Sequence, residues 1–138
     1  MGTIFKQSEG TNLALHAMML LAETPERTLD TAAMAERLDV SAHHLSKVMQ
    51  RLQRGGMVSS TRGPKGGFML AKKAAAVTLL DIYTVIEGPM EIKACLMNHP
   101  VCEHPHCPIG KAIAKSGKEF RNLLKNTKLA EIVKRVAK

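Results

Sequence analysis

From Val40 through Leu80 the chain carries no aspartate or glutamate, yet Lys47, Arg51, Arg54, Arg62, Lys65, Lys72 and Lys73 all fall inside that stretch. Seven cations with no acid among them repel one another, and such a surface is suited to a polyanion. The apolar residues around it define the shape that presents the charge. Leu29, Ala32, Ala35 and Leu38 recur every three residues beside Asp30 and Thr31, either of which can cap, so a short amphipathic helix is expected. Asp39-Val40 then makes a sharp turn. Ser41 is a good N-cap for a second helix, whose Leu45, Val48, Met49 and Leu52 fall at i, i+3, i+4 and i+7. Its other face carries His43, His44, Ser46, Lys47, Gln50, Arg51 and Arg54, groups that hydrogen-bond base edges and neutralise phosphates.

Gly55-Gly56 stops that helix. Two strand-like runs follow, Met57 to Thr61 and Phe68 to Ala71, separated by Arg62-Gly-Pro-Lys-Gly-Gly67, which is turn chemistry with two cations in it. Helix-turn-helix spacing alone arises often in helical proteins, and most basic faces are merely solvated. A helix pair followed by a basic, glycine-rich hairpin inside an acid-free block is far more selective and defines a winged helix-turn-helix. The candidate DNA contacts are Ser41, His43, His44, Ser46, Lys47, Gln50 and Arg51 on the helix, with Arg62 and Lys65 on the wing.

The 138 residues suffice for one domain with a real core, and their net charge of +8 is unevenly placed. It runs −3 over residues 1–39, +7 over 40–80, −3 over 81–107 and +7 over 108–138. No apolar run reaches membrane-spanning length and no signal pattern opens the chain, so a cytoplasmic protein without a membrane partner is expected. One tyrosine, three phenylalanines and no tryptophan leave little for stacking on unpaired bases, which disfavours RNA and favours double-stranded DNA.

Residues 11–22 are apolar nearly all round and predict a first helix buried by the others, with His16 as a packed or surface side chain. After the wing, Thr78-Leu-Leu-Asp81 is a capping-box-like start, Leu79, Leu80, Ile82, Tyr83, Val85 and Ile86 fill the helix, and Gly88-Pro89 closes it. Pro108 opens a long amphipathic helix whose stripe is Ile109, Ala112, Ile113, Ser116, Phe120, Leu123 and Leu124, and a last short basic helix or tail follows Asn126-Thr127. A long helix at the end of so small a domain has little core left to cover. Ile109, Ile113, Phe120 and Leu124 are therefore expected between two subunits of a homodimer. The fold class is mainly α with a small β-hairpin: a winged helix-turn-helix domain over 1–89, a cysteine loop over 90–108, and a dimerisation helix with a basic tail over 109–138.

Between Met90 and Pro108 the periodicity vanishes, and all three cysteines fall there: Cys95, Cys102 and Cys107, with His99, His104 and His106 among them. An odd number of thiols in a reducing compartment points away from structural disulfides. Spacing alone leaves open an iron–sulfur cluster, a zinc site completed by His104 or His106, redox-active thiols, or no shared chemistry. No phosphate loop, paired carboxylates or Ser-His-Asp set supports an enzyme. A metal-binding or small redox protein with a merely structural helix-turn-helix is the alternative class, but such a carrier gains nothing from an acid-free basic block.

These residues together resemble the Rrf2 family of bacterial transcriptional regulators, which includes iron–sulfur, nitric oxide and cysteine-metabolism regulators. The resemblance spans nearly the whole chain through Asn12-Leu-Ala-Leu, Ala35-Glu-Arg-Leu, Leu45-Ser-Lys-Val-Met-Gln-Arg-Leu, Thr78-Leu-Leu-Asp-Ile, Ile86-Glu-Gly and the three-cysteine loop. Its most specific part is the wing, Arg62-Gly-Pro-Lys-Gly-Gly-Phe-Met-Leu-Ala. It implies a homodimer on the long helix, a palindromic operator, and a [2Fe–2S] or [4Fe–4S] iron–sulfur cluster on Cys95, Cys102 and Cys107 whose state controls DNA binding. The family's iron–sulfur members take a fourth ligand from positions that are Gly110 and Asn12 here, leaving Glu9, His99, His104 or His106 to substitute.

Overall fold

The computed structural model of the protein describes residues 8–95, 97, 99, 101–102 and 106–136, with backbone alone at 135 and 136. Helices α1 (Glu9–Glu23), α2 (Thr31–Leu38) and α3 (Ala42–Arg54) precede strands β1 (Val58–Thr61) and β2 (Gly67–Leu70). A single 3-10 turn at Ala74–Ala76 leads to α4 (Leu79–Glu87), and α5 (Pro108–Asn126) and α6 (Leu129–Val136) complete the chain. The mainly helical class with one antiparallel hairpin is the one expected.

Four helix starts are set by side chains that accept orphan backbone N–H groups. Ser8 accepts from Thr11 at 3.3 Å, Asp30 from Ala33 at 2.7 Å, Ser41 from His44 at 3.3 Å and Thr78 from Asp81 at 3.0 Å. Asp81 returns the favour at Thr78 N–H, 2.9 Å away, which makes the capping box reciprocal. Each cap contributes about 1 kcal/mol, enough to decide where a short helix begins. Between α2 and α3, Asp39 takes the left-handed conformation at φ 55°, and Val40 N–H turns back to the Ala35 carbonyl at 3.0 Å. An aspartate tolerates that conformation better than most residues, which is why the turn is sharp here.

The core forms around α1. Leu13, Ala14, Ala17, Met18, Leu20 and Leu21 are buried on it, and α2, α3, α4, α6 and β2 all pack against it. The stripe Leu45, Val48, Met49 and Leu52 of α3 is buried as predicted, as are Ile82, Tyr83 and Ile86 of α4. Burial raises the Tyr83 phenol above its ordinary pKa, with the Glu87 carboxylate adding to the effect. His16 is exposed and bonds the Asn12 carbonyl through Nδ1 at 2.7 Å.

One expectation for the C-terminal third needs correction. Ile113 and Leu124 do not wait for a second subunit: both are buried within the chain, because α5 packs across α4 and Ile92 lies over Gly117. The apolar residues left outside on α5 are Ile109, 58% exposed, and Leu123, 59% exposed, with Phe120 half-buried. Of the short basic helix or tail expected after Asn126-Thr127, the helix is what forms, as α6. Leu129 is 0% exposed in the core, its N–H bonds the Val77 carbonyl at 2.8 Å, and Leu79 N–H bonds Thr127 at 3.0 Å.

Leu129→Ala should therefore cost about 2–5 kcal/mol, the range for truncating a buried leucine. Denaturant unfolding of the two proteins measures it, and a midpoint unchanged from the parent would place α6 outside the core.

Candidate nucleic-acid interface and cysteine loop

At ~100° per residue, the side chains opposite the buried stripe of α3 are those of His43, Lys47, Gln50 and Arg54. All four are exposed. Arg54 belongs to this stripe by its i+11 spacing from His43, although sequence reasoning left it out of the contact set. Ser46 and His44 flank the stripe and are half-buried, the latter with Nδ1 3.9 Å from the Glu9 carboxylate. Ser41 is occupied as the cap. Arg51 lies on a flank and donates from its guanidinium to the Ile86 carbonyl. The structure thus assembles most of the candidate helix residues on one face and gives Ser41 and Arg51 structural partners.

The wing is a better-held object than a two-stranded hairpin. β1 and β2 pair from Val58 with Leu70 to Thr61 with Gly67, one residue earlier in the second strand than the apolar run suggested. Leu29, outside any helix, adds itself as a third edge, giving its N–H to Phe68 at 2.9 Å and taking that of Phe68 at 2.8 Å. Gly67 makes this approach feasible, since a Cβ there would lie 2.6 Å from the Leu29 oxygen. At the tip, Gly66 N–H closes a turn on Gly63 at 2.9 Å with Pro64 and Lys65 between them, and Thr28 Oγ1 holds the Lys65 carbonyl at 2.9 Å. Gln53 of α3 bonds Ser60 Oγ of β1 at 2.9 Å, fixing the helix relative to the wing. Arg62 and Lys65 remain exposed on the tip.

The cysteines occupy a different environment. Cys102 is exposed, Cys95 and Cys107 are half-buried, and all three are free thiols. Cys107 is the N-cap of α5: its Sγ accepts the Gly110 N–H at 3.4 Å, a role the sequence did not reveal because cysteine is an uncommon cap. The Ala94 carbonyl meets Gly110 so closely that any Cβ there would collide with backbone. No ligand side chain fits at that position without moving the loop. His99 and His106 are exposed, Glu9 sits beside His44, and Asn12 is exposed on α1. His104 lies outside the described residues. Among the described residues no three histidine, cysteine or acidic side chains come together as a metal site. The donor set thus suits a soft metal or cluster in chemistry, while this arrangement does not assemble it.

An α3 with one polar, basic face, tied to a three-edged wing with cations at its tip, defines a winged-helix DNA-binding protein. The chain belongs to the Rrf2 family, described as iron-dependent transcriptional regulators, whose model matches residues 7–135. YwgB of Bacillus subtilis (strain 168), named as an HTH-type transcriptional regulator, is 31% identical over 134 residues, covering 95% of this chain and 86% of that protein. The solved structure of CymR (YrzC), the global cysteine regulator of B. subtilis, aligns at a TM-score of 0.77 with 26% identity, over 94% of this chain and 97% of CymR. T. potens IscR aligns at 0.76 with 24% identity, over 95% of this chain and 88% of IscR, a likeness of fold. The chain is accordingly a transcriptional regulator and not an enzyme.

Replacing Arg62 and Lys65 together with alanine should weaken operator binding and lower the slope of log affinity against log salt by about 0.9 for each phosphate contact removed. A salt titration of duplex binding checks this, and parental affinity at physiological salt would exclude the wing from the interface.

Proposed function

We propose that the protein is a dimeric regulator whose affinity for a palindromic operator follows the chemical state of Cys95, Cys102 and Cys107. The observation that carries this reading is Cys107: one thiol of the cysteine loop is also the cap of the helix that presents the exposed Ile109 and Leu123. A change at that sulfur alters how α5 begins. Oxidising or ligating Sγ changes the charge and bonding of the atom that accepts the Gly110 N–H, and so the strength and direction of that cap. The Ala94–Gly110 contact applies the Cys95 side of the loop to the same first turn.

On DNA, His43, Lys47, Gln50 and Arg54 enter the major groove with Ser46 and His44 at its margins, and Arg62 and Lys65 hold the backbone or minor groove. The exposed Ile109, Ala112, Ser116 and Leu123 repeat at near-heptad spacing and form the subunit contact, a narrower stripe than the seven-residue pattern suggested. Two such subunits present their recognition helices to two half-sites.

Two forms of the sensor are supported by different observations. Iron dependence in the family description and three soft donors in one loop support a cluster, which Cys95, Cys102 and Cys107 would hold and which would supply bonds sensitive to oxidant, nitric oxide and iron supply. The backbone-filled space at Gly110, together with likeness to a cysteine regulator, supports reversible thiol chemistry. Anaerobic purification with a visible spectrum and iron and sulfide counts distinguishes them.

Cys102→Ala should keep the fold and the dimer but lose the dependence of operator affinity on oxidant or nitric oxide; a variant that responds like the parent would place the sensor elsewhere. Light scattering should give about twice the 15.0 kDa chain mass. A monomer at micromolar concentration would remove both the subunit contact and the palindrome.

A further inference from the structure

The recognition helix is joined to α4 by more than apolar packing. α4 has no basic residue in its last turn, so the negative end of its dipole is uncompensated from within. Arg51 supplies the cation from α3, donating to the carbonyl of Ile86, one of the last four carbonyls of α4. The next residue, Glu87, accepts the Ser8 N–H at 2.8 Å and the hydroxyl of Thr11, which is 1% exposed, and so ties the start of α1 to the same point. Gly55, at the end of α3, leaves no slack: a Cβ there would lie 2.8 Å from both methyls of Val85. Three helix ends therefore meet at one polar junction. The chain leaves it at Gly88, φ 81°, and enters the segment that carries the cysteines.

Arg51 lies at the edge of the reading face, about 40° around α3 from Lys47, and what draws it away from that face is the bond of its guanidinium to the Ile86 carbonyl. We infer that Arg51 is a positioning residue that fixes the angle of the recognition helix on the end of α4, and that this junction transmits a change in the cysteine loop to the DNA-reading face within one chain. The second half of the inference rests on the proposed sensing role of the cysteines. The first half does not.

The test uses full-length protein, Arg51→Ala and Arg51→Gln variants, and a duplex that the parent selects from a random pool. The expected result is a loss of affinity on the order of tenfold with the salt slope unchanged. Amide hydrogen exchange in the free protein should be faster at Gly55, Glu87 and Gly88, because a junction loosens where a DNA contact would leave the free protein alone. Should Arg51→Ala fail to fold, Arg51→Gln carries the same readings with less loss of packing. A slope that falls by about 0.9 per subunit with parental exchange would make Arg51 a phosphate contact and overturn the inference. Unchanged affinity and exchange would overturn it too.

Alkylation of the cysteines with N-ethylmaleimide tests the transmission. The ratio of affinities before and after alkylation should depart from one in the parent and approach one in Arg51→Ala. If both proteins respond equally, the route through Arg51 is wrong while the sensing role stands. If the parent does not respond, the sensing role and the transmission fall together, and the slope and exchange still decide the positioning role.

Discussion

The structure depends on burying one broad face of α1. Leu13, Ala14, Ala17, Met18, Leu20 and Leu21 spread over about 160° of the helix, too wide an apolar face to leave in water, and each fully buried large side chain among them contributes about 1.5–3 kcal/mol. That requirement recruits α2 and α3 on one side, α4 on another, α6 from the far end of the chain and β2 from the wing. It also explains why the recognition helix exists. Histidine, serine and glutamine are indifferent helix formers, and a helix as short as the 13-residue α3 is marginal in isolation. Its four buried side chains against the core make it stable, so its opposite face is free to carry chemistry chosen for DNA alone.

The elements near this core were legible for physical reasons. Periodicity reports which face is buried, and caps report where a helix starts; Asp30, Ser41 and Thr78 combine both signals with a three-residue return bond. The wing was legible through its turn residues, yet its third edge was not. Leu29 counted as an apolar residue of α2, when its backbone pairs with Phe68. A single bridging residue leaves no periodic trace, and only Gly67, needed for close backbone approach, hinted that something lies against the hairpin.

The C-terminal third was less legible because one helix can bury apolar residues on two faces. In α5 the residues Ile113, Gly117 and Leu124 serve the chain's own α4 and Ile92, while Ile109 and Leu123 remain outside. A stripe of seven positions merges those faces, since composition does not tell which partner each side chain meets. For α6 the sequence left helix or tail open because its cations suggested solvent; Leu129, fully buried and bonded through its N–H to Val77, anchors it with Val133 packed against the core. Long side chains on its other face then remain solvated at no cost to packing.

Arg51 shows that a charge in the candidate site can also have a partner within the chain. Inside an acid-free basic block every cation looks like a phosphate contact, because nothing of opposite sign is nearby to claim it. Helix carbonyl ends are anions that sequence does not write. The last turn of α4 carries Glu87 and no base, so it is doubly short of positive charge, and the neighbouring recognition helix supplies what is missing. The charge of the block is therefore divided between the exposed stripe of α3 and a flanking guanidinium that answers the last turn of α4.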